Sequence, residues 1–202
     1  MRVTMRVLAA WRALACVFLA CVLAACGGEG SERKFELTDV TGASFGRTLA
    51  LTDHDGKRRT LEDFRGQVVV LFFGFTHCPD ACPTTLAELA NVAEALGEDA
   101  KRMQVLVVTV DPERDTPEVL RQYVPSFHPS FLGLYGTAEE TAAAAKEFKV
   151  YFQKQPQSGG NYTMDHSAGT FILDKAGRLR LFGQYGAGAK ALLHDIRLLL
   201  GE

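Results

Sequence analysis

The sequence predicts an α/β fold, a central sheet covered by helices on both faces. Three observations point there. Residues 68–73 (Val-Val-Val-Leu-Phe-Phe) are a continuous apolar run of strand length, the pattern of a strand buried on both sides, and 105–110 read as another buried strand. Between them, residues 83–96 place Leu86, Leu89, Ala90, Ala93 and Leu96 at helical spacing. The chain closes with a hairpin pattern and then a helical one, which adds an antiparallel margin to a strand-helix-strand alternation.

Each element has a local reason. Residues 49–52 and 58–61 flank Asp53-His54-Asp55-Gly56, whose Asp-Gly end is a hairpin turn signal. Asp63-Phe64-Arg65-Gly66 is a second turn, leading into the 68–73 strand. Pro83 suits the first turn of the helix that follows. Thr116-Pro117-Glu118 opens a short helix, with Thr as cap and Pro at the first position. Residues 131–135 form a brief strand and 138–148 an Ala-rich helix. Residues 170–173 and 179–182 flank Asp174-Lys175-Ala176-Gly177 as a hairpin, and 192–200 is the closing helix. This is the order of a thioredoxin-like three-layer fold with an N-terminal β-hairpin extension and an insertion.

The 202 residues allow one domain and little more. With 22 basic against 24 acidic side chains, there is no concentrated positive charge for binding nucleic acid. Arg2, Arg6 and Arg12 precede an apolar stretch at 13–25, too short for a comfortable membrane span but suited to a signal-peptide core. Leu23-Ala24-Ala25-Cys26-Gly27 resembles a bacterial lipobox. The expected organisation is a lipoprotein signal at 1–25, a flexible tether at 26–34 lipidated on Cys26, and a domain at 35–202. The alternatives are a plain secretory signal cut near Ala25 or an uncut anchor; each exports the domain. Removing the three arginines from a chain of net charge −2 leaves it more acidic still. Cys16, Cys21 and the single Trp, Trp11, leave with the signal, so the thiols that remain for chemistry are Cys78 and Cys82.

Cys78-Pro79-Asp80-Ala81-Cys82-Pro83 lies between a buried strand and its helix, where open α/β sheets carry their sites. The positive end of a helix favours thiolate, the nucleophilic and metal-binding form. Four residues of separation put the Cβ atoms roughly 5–6 Å apart if helical, too far for an undistorted disulfide but suited to an ion between the sulfurs. A third ligand must come from elsewhere. His54 sits in a turn, His77 adjoins Cys78 but projects differently, His128 lies in a Pro-flanked loop, and His194 is on the last helix. His166, in Asp165-His166-Ser167 before the 170–173 strand, is the best placed, since the loop entering that strand lies beside the cysteine loop in a thioredoxin-like sheet.

Together, Phe73-Gly74-Phe75-Thr76-His77-Cys78-Pro79-Asp80-Ala81-Cys82-Pro83, Val110-Asp111-Pro112-Glu113-Arg114-Asp115-Thr116-Pro117 and Asp165-His166-Ser167 resemble the SCO/SenC family of copper-binding proteins, from about Phe35 to Leu200. The resemblance also takes in Asp53-His54-Asp55-Gly56 and Phe171-Ile172-Leu173-Asp174. It implies a thioredoxin-like fold and copper held by Cys78, Cys82 and His166, with Asp80, Asp111 and Asp165 supporting the site or the fold. The implied role is a metallochaperone delivering copper to the binuclear copper centre of cytochrome c oxidase. Its expected partners are the copper-bearing oxidase subunit and another periplasmic copper chaperone. The lipobox adds a lipid anchor on the periplasmic side of a bacterial cell membrane, where many family members keep an uncut transmembrane anchor.

The metal chemistry agrees. Two thiolates select copper(I), zinc or iron–sulfur clusters, and imidazole suits copper or zinc. A Cys₂His set is three-coordinate, which copper(I) accepts, whereas structural zinc normally takes four ligands. Copper(II) would need a further ligand of oxygen type. The alternative is an enzyme, a thiol–disulfide oxidoreductase acting through Cys78 and Cys82 to keep an oxidase subunit's cysteines reduced. Against it, thioredoxin-type enzymes use CxxC after a Trp; a peroxidase reading fails because Thr76 stands two, not three, residues before Cys78. The remaining reading makes the two cysteines a structural disulfide. Phe72, Phe73 and Phe75 are expected to pack in the core, and Glu139-Glu140 and Lys57-Arg58-Arg59 to be solvated surface.

Overall fold

The structure, a computed structural model, describes residues 34–202. The expected signal segment 1–25, the lipidation site Cys26 and the tether up to residue 33 lie outside the described residues. Phe35–Glu202 forms a compact unit. Its strands are β1 (Thr38–Asp39), β2 (Ala50–Asp53), β3 (Arg58–Thr60), β4 (Val68–Gly74), β5 (Met103–Thr109), β6 (Leu132–Tyr135), β7 (Phe152–Pro156), β8 (Tyr162–His166), β9 (Gly169–Leu173) and β10 (Leu179–Gln184). Its α-helices are α1 (Ala81–Leu96), α2 (Pro117–Tyr123), α3 (Ala138–Glu147) and α4 (Gly188–Leu200).

Eight strands form one sheet in the order β1-β10-β9-β4-β5-β6-β2-β3. β4, β5 and β6 are parallel neighbours, while β9 and β10 run antiparallel beside β4. All seven residues of β4 are buried, so both faces of the sheet are covered. Side-chain alternation shows by what. Phe73 meets Phe148, at the end of α3, with ring centroids 5.7 Å apart. On the opposite face, Phe72 and Gly74 line a small apolar hollow with Leu86 of α1 and Leu120 and Tyr123 of α2. α1 also packs against α4.

The two Asp-x-x-Gly turns share one construction. Asp53 Oδ1 accepts from the backbone of Asp55 and Lys57, at 3.0 and 2.9 Å, and Asp174 Oδ1 accepts from Ala176 and Arg178 at the same two distances. Gly56 and Gly177 take the left-handed conformation, at φ 85° and 68°, that closes each turn. The expected N-terminal hairpin is β2–β3, which joins the main sheet through β6. Thr116 caps α2 with Pro117 at its first position, and Thr137 and Glu140 form a capping box at α3. α1 begins two residues earlier than Pro83, so that Cys82 lies inside it.

Residues 152–166 depart most from expectation. They form a separate two-stranded sheet, β7–β8, with Phe152 opposite His166 and Pro156 opposite Tyr162. His166 is therefore the last residue of a strand and not part of a plain loop entering β9. Along β8, Tyr162, Met164 and His166 share one face, and Met164 is buried while Asp165 is exposed.

Candidate metal centre

Gly74 ends β4, and the chain turns through Phe75, Thr76 and His77 to reach Cys78 just ahead of α1. Gly74 is required for close approach: a Cβ there would lie 2.6 Å from Phe72 Cε1 and 3.0 Å from Cys82 Sγ. Cys78 is half-buried and Cys82 is 1% exposed; both are free thiols. The backbone N–H of Cys82 donates to Cys78 Sγ at 3.3 Å. From the other side comes His166, whose Nε2 stands 3.6 Å from Cys82 Sγ. One donor atom from each of Cys78, Cys82 and His166 lies within 4.8 Å of the others.

His166 Nδ1 is 3.0 Å from the Ser167 carbonyl oxygen. A carbonyl can only accept, so this contact places the ring hydrogen on Nδ1 and leaves the Nε2 lone pair facing the sulfurs. Burial pushes the His166 pKa down, against weaker opposing effects from Ser167 and Asp165. The imidazole is thus held in the neutral form that ligates metals. The Phe75 and Phe72 rings meet it edge-on, at centroid distances of 5.7 and 6.4 Å.

One expectation is corrected. The helix start was expected to favour thiolates, but burial pushes the Cys82 thiol well up, and a backbone hydrogen bond at Phe75 offsets only part of this. Desolvation outweighs the helix end because Cys82 sits inside the first turn, under His166 and away from water. A soft cation between the donors would reverse the balance, since a coordinating thiol is deprotonated.

The other histidines are placed elsewhere. His54 is buried, and its Nδ1 accepts from Gly133 N at 3.0 Å; His128 stacks on Phe131; His194 pairs with Asp195; His77 is exposed beside Thr76. Asp80 precedes α1, its side chain reaching Thr84 Oγ1 at 3.4 Å. Asp111 accepts from Tyr162 Oη at 2.9 Å and pairs with Arg114, whereas Asp165 points outward. Phe72, Phe73 and Phe75 are buried core residues.

Sequence reasoning gave no role to Asp115, which is fully buried at the centre's base. It accepts from the Thr76 backbone N–H at 3.1 Å, the Thr76 hydroxyl at 2.5 Å and the Thr109 hydroxyl at 2.6 Å. It thereby ties the cysteine loop to the end of β5. Tyr123 was also missed: it lies beneath Cys82, and burial, then the nearby sulfurs, push its phenol up to about 12. The available signal for Asp115 was a cluster of charges directly after the largely apolar β5.

Comparison with known proteins gives this geometry a family. The SCO1/SenC family model matches residues 34–201. A mitochondrial SCO2 homologue from Danio rerio is 45% identical over 130 residues, covering 63% of this chain and 47% of that protein. Across this and the Bos taurus and Mus musculus mitochondrial SCO2 homologues, the chain spans 47%, 54% and 60% of the relative's length, about half. A Bradyrhizobium japonicum ScoI structure with copper bound is 38% identical, with TM-score 0.72, covering 78% of this chain and all of that one. The apo Sco1 solution structures from Thermus thermophilus are 41% identical, with TM-score 0.74, covering 85% of this chain and 100% of that one. With a thioredoxin-like sheet, a two-thiol loop at a helix start and a family match over nearly all the described residues, the chain belongs to the SCO1/SenC family.

Proposed function

We propose that this chain is a copper metallochaperone, holding one copper ion between Cys78, Cys82 and His166 and delivering it to the binuclear copper centre of a cytochrome c oxidase. One observation carries the reading: two sulfurs and an imidazole lone pair, from segments more than eighty residues apart, converge within 4.8 Å. Metal–sulfur and metal–nitrogen bonds of about 2.3 and 2.0 Å would put three donors about 4 Å from one another around an ion. The 3.6 Å from Cys82 Sγ to His166 Nε2 needs little adjustment. Soft sulfur with one imidazole, three donors in all, suits copper(I), and the copper-bound relative at 38% identity supports that choice of cargo. The half-buried side of Cys78 leaves room for an incoming ligand from a partner. Export by the 1–25 signal, lipid attachment at Cys26 and a periplasmic location belong to the same reading, as does the copper-bearing oxidase subunit as recipient.

The test is an anaerobic copper(I) titration of the reduced protein against a competing chelator. One tightly held ion per chain is expected, with Cys78→Ser, Cys82→Ser and His166→Ala each weakening binding by about a hundredfold or more. Unchanged affinity in all three would remove the assignment. The second reading, a thiol–disulfide reductase, is favoured by the arrangement of the pair: Cys78 outward as attacking thiol, Cys82 beneath it to resolve the mixed disulfide. It requires catalytic turnover of a disulfide substrate, lost in both Ser variants.

A further inference from the structure

The two halves of the centre are built differently. Cys78 and Cys82 hang from β4 and α1 in the middle of the main sheet, whereas His166 ends a hairpin that has no backbone pairing with that sheet among the described residues. A lone two-stranded hairpin is at best marginally stable in water. Buried Met164 seats β8 on the core, and Arg114 holds its Tyr162 end. Its Nη1 donates to the Tyr162 carbonyl at 2.9 Å and its guanidinium lies 3.7 Å from the Tyr162 ring centroid. The Tyr162 hydroxyl donates to Asp111 Oδ1 at 2.9 Å, and Asp111 in turn pairs with Arg114. Lys154 of β7 reaches Glu113 at 2.7 Å and lies 4.1 Å from the same tyrosine ring. Arg114 Nη2 is buried with no partner among the described residues, so the guanidinium keeps this position although one amino group gains nothing from it.

The neighbouring residue faces the other half. Asp115 accepts three hydrogen bonds from Thr76 and Thr109 and so fixes the cysteine loop. A single five-residue segment, 111–115, therefore grips the thiol side through Asp115 and the histidine side through Asp111, Glu113 and Arg114, with Arg114 also lying 5.9 Å from the Phe75 ring of the cysteine loop. Tyr162 and His166 lie on the same face of β8 with buried Met164 between them, so a grip at one end of that face sets the tilt of the other.

We propose that Arg114, with Asp111 and Glu113, is a latch that positions His166 over the two thiols by clamping Tyr162, and so sets the fraction of molecules with a closed triad. The inference rests on the metal-site reading for its copper readout only. If the docked fraction falls to about a tenth on losing the latch, apparent copper affinity falls about tenfold with no ligand removed.

Copper(I) affinity is measured for the full protein, Arg114→Gln, His166→Ala and the double variant. Arg114→Gln is expected to lose about tenfold, and the double variant to match His166→Ala within about twofold, because both changes remove the same ligand. Tyr162→Phe, which deletes one hydroxyl and keeps the ring, is expected to lose about threefold. A metal-free readout separates failure of the latch from failure of the copper reading. In the reduced protein under limiting reagent, alkylation of Cys82 should rise about tenfold in Arg114→Gln as the hairpin lifts, by the same population shift. Unchanged Cys82 labelling in both Arg114→Gln and Tyr162→Phe overturns the proposal, whatever the copper result. So does a loss in Arg114→Gln that adds in full to that of His166→Ala.

Discussion

Replacing Asp115 by Ala tests whether a buried carboxylate is the base on which the thiol half of the centre rests. Three donors converge on it: the Thr76 N–H, the Thr76 hydroxyl and the Thr109 hydroxyl. In the variant, the Thr76 hydroxyl can turn to His77 Nδ1, already 3.1 Å away. The Thr76 N–H and the Thr109 hydroxyl have no such recourse, because Thr109 Oγ1 already accepts from Asp111 N at 2.9 Å and needs an acceptor for its own hydrogen. Two stranded donors at roughly 1–3 kcal/mol each give about 2–6 kcal/mol, reduced by removing a buried charge, for a net loss near 3 kcal/mol. At a urea dependence of about 2–3 kcal/mol/M, the unfolding midpoint should drop by about 1–1.5 M. Asp115→Asn keeps one acceptor oxygen and should lose roughly half as much. Urea unfolding followed by circular dichroism measures both variants. A midpoint for Asp115→Ala within about 0.2 M of the parent would refute the reasoning, since it would mean that those donors found water or other partners.

Three further outcomes follow from the geometry. Gly74→Ala forces a methyl against Phe72 Cε1 at 2.6 Å and Cys82 Sγ at 3.0 Å. Overpacking of this kind costs about 1–3 kcal/mol, so thermal unfolding should come about 2–12 °C earlier, and an unchanged midpoint would contradict the crowding. For Asp53 and Asp174, burial alone would raise the carboxyl pKa. Hydrogen bonds from Arg59 and the Lys57 backbone, and from Arg178 with its backbone, outweigh it and hold both below the usual aspartate range. Their stabilisation is complete above the unfolded pKa and fades as pH falls through the lower folded values. Acid unfolding of Asp174→Asn should accordingly show a shallower fall below about pH 4 than the parent. Asp195 is fully buried on α4 and accepts from the backbone of Glu36 and Leu37 at 3.0 and 2.8 Å. Asp195→Ala should free that segment, detected as faster proteolysis before residue 40; an unchanged cleavage rate would count against it.

Much of the fold is legible in the sequence because its signals are local and strong. The apolar runs of β4 and β5 admit little else, and the Asp-x-x-Gly turns carry their own hydrogen bonds. Pro117 after Thr116 marks a helix start without help from the rest of the chain. The β7–β8 hairpin is illegible for a matching reason. Phe-Gln-Lys-Gln-Pro is largely polar and ends in Pro156, and Tyr-Thr-Met-Asp-His alternates over only five residues, so their strand character comes from pairing with each other and docking on the body. At the centre, Cys78, Cys82 and His166 can be read as ligand types at suggestive positions. The depth of Cys82 cannot, and it is depth that reverses the direction in which that thiol titrates. Asp115 and Arg114 are adjacent in the chain, yet Asp115 hydrogen-bonds the cysteine loop and Arg114 the β8 strand, a division that only three-dimensional packing decides.

The unequal exposure of the two sulfurs gives ligand exchange a direction. With Cys82 sealed beneath the aromatic rings and the imidazole while Cys78 and His166 are both partly exposed, an attacking donor has a sterically open approach at the outer ligands and not at the inner sulfur. For a cargo ion in the proposed triad, the bonds to the two outer ligands are then replaced first, and the inner sulfur is the last to let go. Loading traces the reverse sequence, so the centre should fill from its deep end and empty from its shallow one.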